Sequence, residues 1–240
     1  MIFPDRYKTN KKYPKKLFLE NKDIEAKDRS FIKKHIVSIE LSHQIMGEDI
    51  PSVDNEDYKY KVIQYLEVEI DDAKNAKEMG TIFQNIFKSP LIIKFYDTKG
   101  YYTYSLALKR INKVNFNEIV INDILNTKKL DSIINIDVKS LYDKYINFDS
   151  LLSKLNKVYL YHEIYIKSFI IDNRKVINGY KELLDSKIYY DFNNMIDIYS
   201  SLKGLIQCEN NIKRVSTMSE KIEINNKKKE CLEIIKKYKY

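Results

Sequence analysis

Glycine, proline and tryptophan are scarce in this chain of 240 residues, which has five glycines, four prolines and no tryptophan. Phosphate-binding loops need clustered glycines, and the five here are scattered singly, with no dinucleotide fingerprint or methyltransferase motif around them. These absences argue against an ATPase and against a methyltransferase. Pro90 is the last proline, so the remaining 150 residues contain none. This distribution predicts a mixed first half followed by long helices.

Cysteine is also rare, and Cys208 and Cys231 form no CxxC or other metal-binding spacing. That spacing argues against a structural zinc site. The N-terminus has no apolar core of signal-peptide length, and no run approaches the roughly 20 apolar residues of a membrane-spanning helix. We therefore expect a cytoplasmic protein with reduced thiols and no membrane partner.

Arginine provides only five of the 42 basic residues, and the net charge is +8. The charge is concentrated at the ends: residues 1–22 carry net +5, residues 225–240 carry net +4, and the remainder carries −1. Basic ends on a near-neutral body suit contacts with phosphate groups. Scarce arginine argues against detailed base recognition. The alternative is a solvated, lysine-rich surface that reflects coding bias.

The first half predicts an α/β unit. Asp23 is a candidate cap for a short helix at about 25–34, and Asp71 or Asp72 for a longer one. A glycine inside this longer helix, Gly80, costs about 1 kcal/mol relative to alanine, so we expect it to approach the sheet closely. Asp97 to Gly100 has the composition of a tight turn. The remaining expected elements are strands at 37–45, 62–70, 90–96, 102–109 and 118–124, and a helix at 73–87.

Two strands have a clear alternation of apolar side chains. We expect the first to place five residues on one face: Val37, Ile39, Leu41, His43 and Ile45. We expect the strand after the turn to place four residues inward, namely Tyr102, Tyr104, Leu106 and Leu108. Its outward residues would then be Thr103, Ser105, Ala107 and Lys109.

From about residue 131 the apolar period changes to that of helices. Six residues spaced alternately by four and three predict a two-helix seam: Leu151, Leu155, Val158, His162, Tyr165 and Phe169. A last helix is expected from Ser219, as its N-cap, to Tyr238. The predicted class is α+β, a small mostly antiparallel sheet with helices on one face, followed by an α-helical C-terminal region. We place a sheet domain with a basic arm at 1–128, and a helical hairpin or three-helix domain at 129–240.

Several segments, in order, resemble a known family. They are Pro14 to Asn21 (PKKLFLEN), the strand Ile63 to Ile70, Ser89-Pro90-Leu91, the strand Ser105 to Asn112 (SLALKRIN), and the charged helix after Ser219. The chain resembles the prokaryotic family "domain of unknown function 4391", most specifically through SLALKRIN and least in residues 130–215. The resemblance implies a cytoplasmic protein encoded near DNA methyltransferases and helicases of restriction or defence loci.

One arrangement of side chains is compatible with catalysis. Glu67 and Glu69 lie on one face of a predicted strand, roughly 6–7 Å apart. Together with Lys109 they would form a crude Mg²⁺-dependent nuclease site. The usual acidic–x–lysine spacing is absent, and the alternative is a solvated strand face with charges that discourage edge pairing. His35, His43 and His162 have no metal or triad spacing, and we expect them to be hydrogen-bonded rather than catalytic.

The leading hypothesis is a non-catalytic accessory protein of a DNA-modification or phage-defence assembly. It would dock on protein partners, with a methyltransferase or a helicase as candidates, and contact a DNA or RNA backbone weakly. We expect no catalytic residue, no metal and no cofactor. The candidate phosphate contacts are Lys15, Lys16, Lys109, Arg110 and Lys113. The alternatives are the nuclease with Glu67 and Glu69, and a protein-only scaffold whose helical half binds a partner or a second copy of the chain.

Overall fold

A computed structural model describes residues 1–238 of the chain. The chain divides into two compact units, residues 1–165 and 166–240. The division falls within one helix, and the predicted domain boundary at 128–129 lies inside the first unit.

The first unit is built around a mixed sheet. Its strands are β1 Lys8–Lys12, β2 Ile36–Ile45, β3 Val53–Asp54, β4 Lys59–Tyr60, β5 Ile63–Ile70, β6 Leu91–Tyr96, β7 Tyr101–Ile111, β8 Ile119–Asn126 and β9 Leu130–Asp131. The strand order is β1-β2-β5-β6-β7-β8, with β9 also paired to β7, and β3 and β4 form a separate two-stranded ladder. Only β5 and β6 pair in parallel among the described strands, so the predicted mostly antiparallel α+β class is confirmed. The sheet is larger than expected because the basic arm supplies edge strand β1 and the short β9 also pairs with β7.

The helices of this unit include the two predicted in the first half. Asp72 accepts a hydrogen bond from Lys74 N and so caps the 3₁₀ turn Ala73–Asn75 that leads into the longer helix, whereas Asp23 caps nothing because the second helix begins after Glu25. The helices are α1 Lys16–Leu19, α2 Ala26–His35, α3 Ala76–Ile86, α4 Ile136–Tyr145 and α5 Lys157–Asp172, the last continuing into the second unit.

A contiguous apolar core lies between the sheet and helices α1, α2 and α3. Leu66, Val68 and Ile70 of β5 alternate into this core, whereas Glu67 and Glu69 point to the opposite face, as the period-2 pattern predicts. The core residues are Phe18, Ile24, Ile32, Ile36, Ile39, Leu41, Leu66, Val68, Ile70, Ala76, Met79, Ile82, Phe83, Leu91, Ile93 and Phe95.

Two irregularities in β2 change the predicted alternation. The register shifts once between Ile36 and Ser38 and again between Leu41 and His43. A bulge adds one residue to a strand and so moves later side chains to the other face. As a result Val37 is exposed, and His43 packs on Phe3 rather than in the core, so the single five-residue face was wrong.

Strand β7 is buried on both faces. Tyr104 packs on Tyr142 of α4, with ring centroids 4.8 Å apart. On the other face, Ser105 lies under Gly80 of α3. The expectation that Thr103, Ser105, Ala107 and Lys109 face outward was therefore wrong, because all four are buried: Ser105 lies under α3 and Lys109 under the segment that follows it.

The second unit is helical in its described part. Its helices are α6 Tyr180–Leu184, α7 Phe192–Asn211 and α8 Met218–Lys237. Thr217, not Ser219, caps α8: its Oγ1 accepts a hydrogen bond from Glu220 N and donates one to Glu220 Oε2. The predicted seam was too long, because Leu151 and Leu155 precede α5 and Leu155 is exposed. Among the described helices, none combines the length and apolar character needed to cross a bilayer.

Candidate functional site

The five residues predicted to contact phosphate lie in two separate parts of the sheet. Lys15 and Lys16 follow β1 at one edge, whereas Lys109, Arg110 and Lys113 lie at or just after the end of β7, beside β8 at the other edge. At about 4.8 Å per strand, β1 and β7 are roughly 19 Å apart. The five residues therefore do not form one contact surface.

Lys15 and Lys16 lie on a lysine-rich edge. Lys16 is exposed and pairs with Glu20, with 3.4 Å between Nζ and Oε1. Lys15 Nζ donates to Lys33 O at 3.1 Å, which brings it to the C-terminal turn of α2. This bond links the α1 lysines to two further exposed lysines, Lys33 and Lys34.

Strand β1 continues this basic edge. All five of its residues are exposed, and three of them are lysines: Lys8, Lys11 and Lys12. Asn10 between them has a φ of +48°, and the pairing register with β2 shifts there, so the strand is bulged. Lys12 is the register partner of Glu40 on β2.

These edge lysines are uncompensated within the described chain. Five of them have no carboxylate oxygen of residues 1–238 within 4.0 Å of their ammonium group: Lys8, Lys11, Lys12, Lys33 and Lys34. We call these five, with Lys15 and Lys16, the basic edge. The excess of charge in residues 1–22 pointed to the first part of this surface. The contribution of α2 depends on the Lys15 contact, which sequence reasoning missed.

Arg110 and Lys113 are already engaged by their own chain. Arg110 Nε donates to Asn122 Oδ1 at 2.8 Å, and its Nη1 donates to Ile111 O at 2.9 Å. Lys113 is exposed and pairs with Asp57 at 3.2 Å. Phosphate would have to compete with these partners, so neither is as well placed as the basic edge.

Lys109 is in the interior. Its exposed fraction is 1%, and its Nζ donates to Phe87 O at 2.6 Å and to Ser89 O at 3.0 Å. Burial, reinforced by the charge of nearby Lys88, lowers the pKa of Lys109 to about 7. The structure gives this side chain no surface for a phosphate backbone, so its place among the predicted contacts was wrong. The small residues that alternate with it, Ser105 and Ala107, were the signal that a helix covers this face.

Glu67 and Glu69 do not meet Lys109. Glu67 Oε1 accepts hydrogen bonds from Lys94 Nζ at 3.3 Å and from Tyr65 OH at 3.3 Å, and Glu69 accepts one from Ser38. These contacts lie on the face of the sheet opposite α3, whereas Lys109 lies on the α3 face. No group of three or more His, Cys, Asp or Glu residues within 1–238 is arranged to hold a metal ion. The arrangement postulated for a nuclease is therefore not formed.

The three histidines are separate and hydrogen-bonded. His35 Nδ1 lies 2.8 Å from Asp71 Oδ2, and His43 Nδ1 lies 2.8 Å from Ser42 Oγ. His162 Nδ1 donates to Val158 O at 2.8 Å, since the carbonyl can only accept. Burial lowers the pKa of His162 to about 4, so it is neutral at neutral pH.

A family model described as "Domain of unknown function (DUF4391)" matches residues 1–233 of the chain. The chain belongs to this family. The match includes residues 130–215, where the resemblance was expected to be least. No curated protein and no solved structure matches the chain. In this family member the most specific motif, SLALKRIN, forms the buried strand β7 and contains Lys109.

Proposed function

We propose that this protein binds the phosphate backbone of nucleic acids without sequence recognition, through the basic edge. The observation that carries the proposal is the set of exposed lysines along β1 and the end of α2 that have no carboxylate partner in the described chain. Uncompensated lysines displace condensed counterions from a polyanion, which is the main source of non-specific affinity.

The types of side chain support backbone contact rather than base recognition. A lysine ammonium is a compact point charge, whereas bidentate recognition of bases is mainly the work of arginine. Of the arginines in the first unit, Arg6 pairs with Asp49, Arg29 donates to Asn21 O, and Arg110 donates to Asn122. A protein with this surface would read charge and not sequence.

The wider role belongs to the same proposal. We infer that the protein is an accessory subunit of a cytoplasmic DNA-modification or defence assembly, in which protein partners supply the specificity that the basic edge lacks. Affinity purification from the native organism, with and without nuclease treatment of the lysate, tests this part. Partners that persist after nuclease treatment support protein docking, and loss of every partner contradicts it.

The binding surface can be tested with variants of equal charge. The test variant is Lys11→Gln/Lys12→Gln/Lys34→Gln, which removes three unpaired lysines of the basic edge. The control is Lys61→Gln/Lys74→Gln/Lys113→Gln, which removes three lysines that pair with Asp54, Asp72 and Asp57. Both variants lose three positive charges, so a difference in their DNA affinity shows that the position of the lysines matters.

The measurement is a salt series of binding to a short DNA duplex, starting at about 50 mM salt. We expect the basic-edge variant to lower the slope of log K against log salt by about 0.9 per lysine, while the control changes it little. Equal effects of the two variants would mean that net charge alone matters. Undetectable binding of the natural protein at low salt would refute the proposal.

A further inference from the structure

A small cleft opens between the C-terminal end of α3 and strand β8. Its volume is about 340 Å³, and one wall is the β8 segment Ile119, Val120 and Ile121. Gln84, Asn85, Phe87, Lys88 and Lys109 complete the lining. This cleft lies at the edge of the sheet opposite β1, apart from the basic edge.

The hydrogen bonds of Lys109 fit a neutral amine. Its Nζ donates to two carbonyl oxygens, Phe87 O and Ser89 O, and has no other hydrogen-bond partner or ion pair within the described residues. A neutral amine has two N–H groups and one lone pair, so these two bonds use both donors and leave the lone pair. A protonated amine would instead bury a third, unsatisfied N–H.

Lys157 gives an internal comparison. It too is fully buried, but its Nζ donates to three acceptors, Gly47 O, Ile50 O and Ser52 Oγ. Three acceptors satisfy all three protons of an ammonium group. The two buried lysines of the first unit therefore differ in the protonation state that their surroundings satisfy.

Two more groups in the cleft can recognise a ligand. Gln84 is 1% exposed, and its Nε2 donates to Leu91 O and Ser105 O. Because both partners are acceptors, the orientation of the amide is fixed, and Oε1 is a buried acceptor without a partner in residues 1–238. Lys88 is exposed and supplies a positive charge.

We propose that the cleft is a reactive-lysine site, in which Lys109 forms a Schiff base with a small carbonyl compound that carries a carboxylate. Lys88 would hold the carboxylate, and Gln84 Oε1 would accept the hydroxyl proton of the carbinolamine. A lysine that is desolvated, or placed next to another cation, is a recognised nucleophile toward carbonyl groups. This inference is independent of nucleic-acid binding.

The reaction balances without a further reagent. The lone pair of Nζ attacks the carbonyl carbon, a C–N bond forms, and one amine proton moves to the carbonyl oxygen to give the carbinolamine. Loss of that hydroxyl together with the second amine proton as water leaves the imine. The net change is ketone plus amine giving imine plus water.

The test is reductive trapping on the full-length protein with pyruvate as the anionic probe and acetone as its neutral counterpart, both reduced by cyanoborohydride. Peptide mass mapping then gives the labelled fraction at Lys109 and at Lys157 over a pH series. We expect at least about tenfold more label at Lys109 than at the exposed lysines, because fewer than about one in a thousand ordinary lysine amines are neutral at pH 7. Burial lowers the pKa of Lys157 as well, but its three acceptors favour the ammonium form, so we also expect more label at Lys109 than at Lys157. Its labelling should be half-maximal near pH 7, since its pKa is about 7.

Two variants separate the roles of the lysines. Lys109→Met removes the amine without burying a charge, so we expect the adduct to be lost; the thermal midpoint should fall as well, because Phe87 O and Ser89 O lose their donor. Lys88→Gln should reduce trapping of pyruvate severalfold and trapping of acetone far less. The control, Lys77→Gln, removes an exposed lysine at the start of α3 that does not line the cleft, and it should change neither.

Label at Lys109 that does not exceed that at Lys157 would overturn the proposal, and this comparison needs no variant to fold. The proposal would also be overturned if labelling of Lys109 had the same midpoint pH as labelling of the exposed lysines. Equal loss of pyruvate and acetone trapping in Lys88→Gln would remove the carboxylate from the proposed ligand class.

Discussion

At the scale of single residues, Gly80 is where the sequence and the structure agree most closely. A Cβ at this position would contact Asn126 Oδ1 and lie 2.7 Å from Ser105 Oγ and 3.0 Å from Ser105 Cβ. Glycine lowers helix propensity at this position, but β7 and β8 leave no room for the methyl group of an alanine. The expectation of close approach, made from one glycine in an apolar stripe, is confirmed.

Replacement of this glycine gives a stability prediction. Gly80→Ala should lower the free energy of unfolding by up to about 2 kcal/mol, because overpacking costs about 1–3 kcal/mol and the gain in helix propensity offsets about 1. Urea unfolding followed by circular dichroism measures the change. Lys77→Ala, at an exposed position of the same helix, is the matched control and should be neutral or slightly stabilising. A Gly80→Ala protein as stable as the natural one would show that Asn126 and Ser105 can move aside.

At the scale of elements, β7 is longer than its neighbour β6. Two tyrosine hydroxyls form hydrogen bonds with the backbone groups that this difference in length leaves without a strand partner. Tyr60 OH donates to Lys109 O at 2.9 Å and accepts from Lys109 N at 3.3 Å. Tyr161 OH donates to Leu91 O at 2.8 Å and accepts from Ala107 N at 3.0 Å. Both side chains are buried, so these hydroxyls take the place of backbone partners that the shorter strand cannot provide.

Loss of either hydroxyl should therefore be costly. Tyr60→Phe and Tyr161→Phe each leave a buried backbone N–H and C=O without that partner, and we expect each to cost about 1–3 kcal/mol of stability. Chemical denaturation measures the loss. Tyr190→Phe serves as control because that side chain is 63% exposed. If all three variants unfold at the same denaturant concentration, water has replaced the missing hydroxyls.

At the scale of the whole molecule, charge is distributed unevenly along the chain. Both termini are strongly basic, while the middle is close to neutral. The bulged, fully exposed β1 presents part of this charge at an open sheet edge, where lysines also discourage pairing with another chain. Such a surface attracts polyanions by long-range electrostatics and has few groups that read bases.

This distribution predicts indifference to the chemical identity of the polyanion. Heparin should displace duplex DNA and single-stranded RNA at similar concentrations per unit of charge, and duplexes of different sequence should compete equally. Fluorescence anisotropy competition at fixed salt measures this. A preference of about tenfold or more, which corresponds to about 1.4 kcal/mol, for one nucleic acid over heparin would require groups beyond the basic edge.

Much of the sheet could be predicted because its signals are local. The shared face of Glu67 and Glu69 in β5, the turn from Asp97 to Gly100 and the helix that contains Gly80 each depend on signals within a short stretch of sequence, and the structure confirms all three. The predicted face of β2 was wrong, because nothing in its sequence marks the two shifts of register.

The sequence by itself determined the α+β class, the family and the concentration of charge at the chain ends, since these depend on composition, short-range periodicity and recognisable motifs. Only the tertiary structure decided which lysines face solvent and which are buried. Lys109 and Lys113 are four residues apart and look alike in the sequence, yet the segment after α3 buries Lys109 while Lys113 stays exposed. The physical reason is that burial, and with it the pKa of an amine, depends on elements distant in the chain.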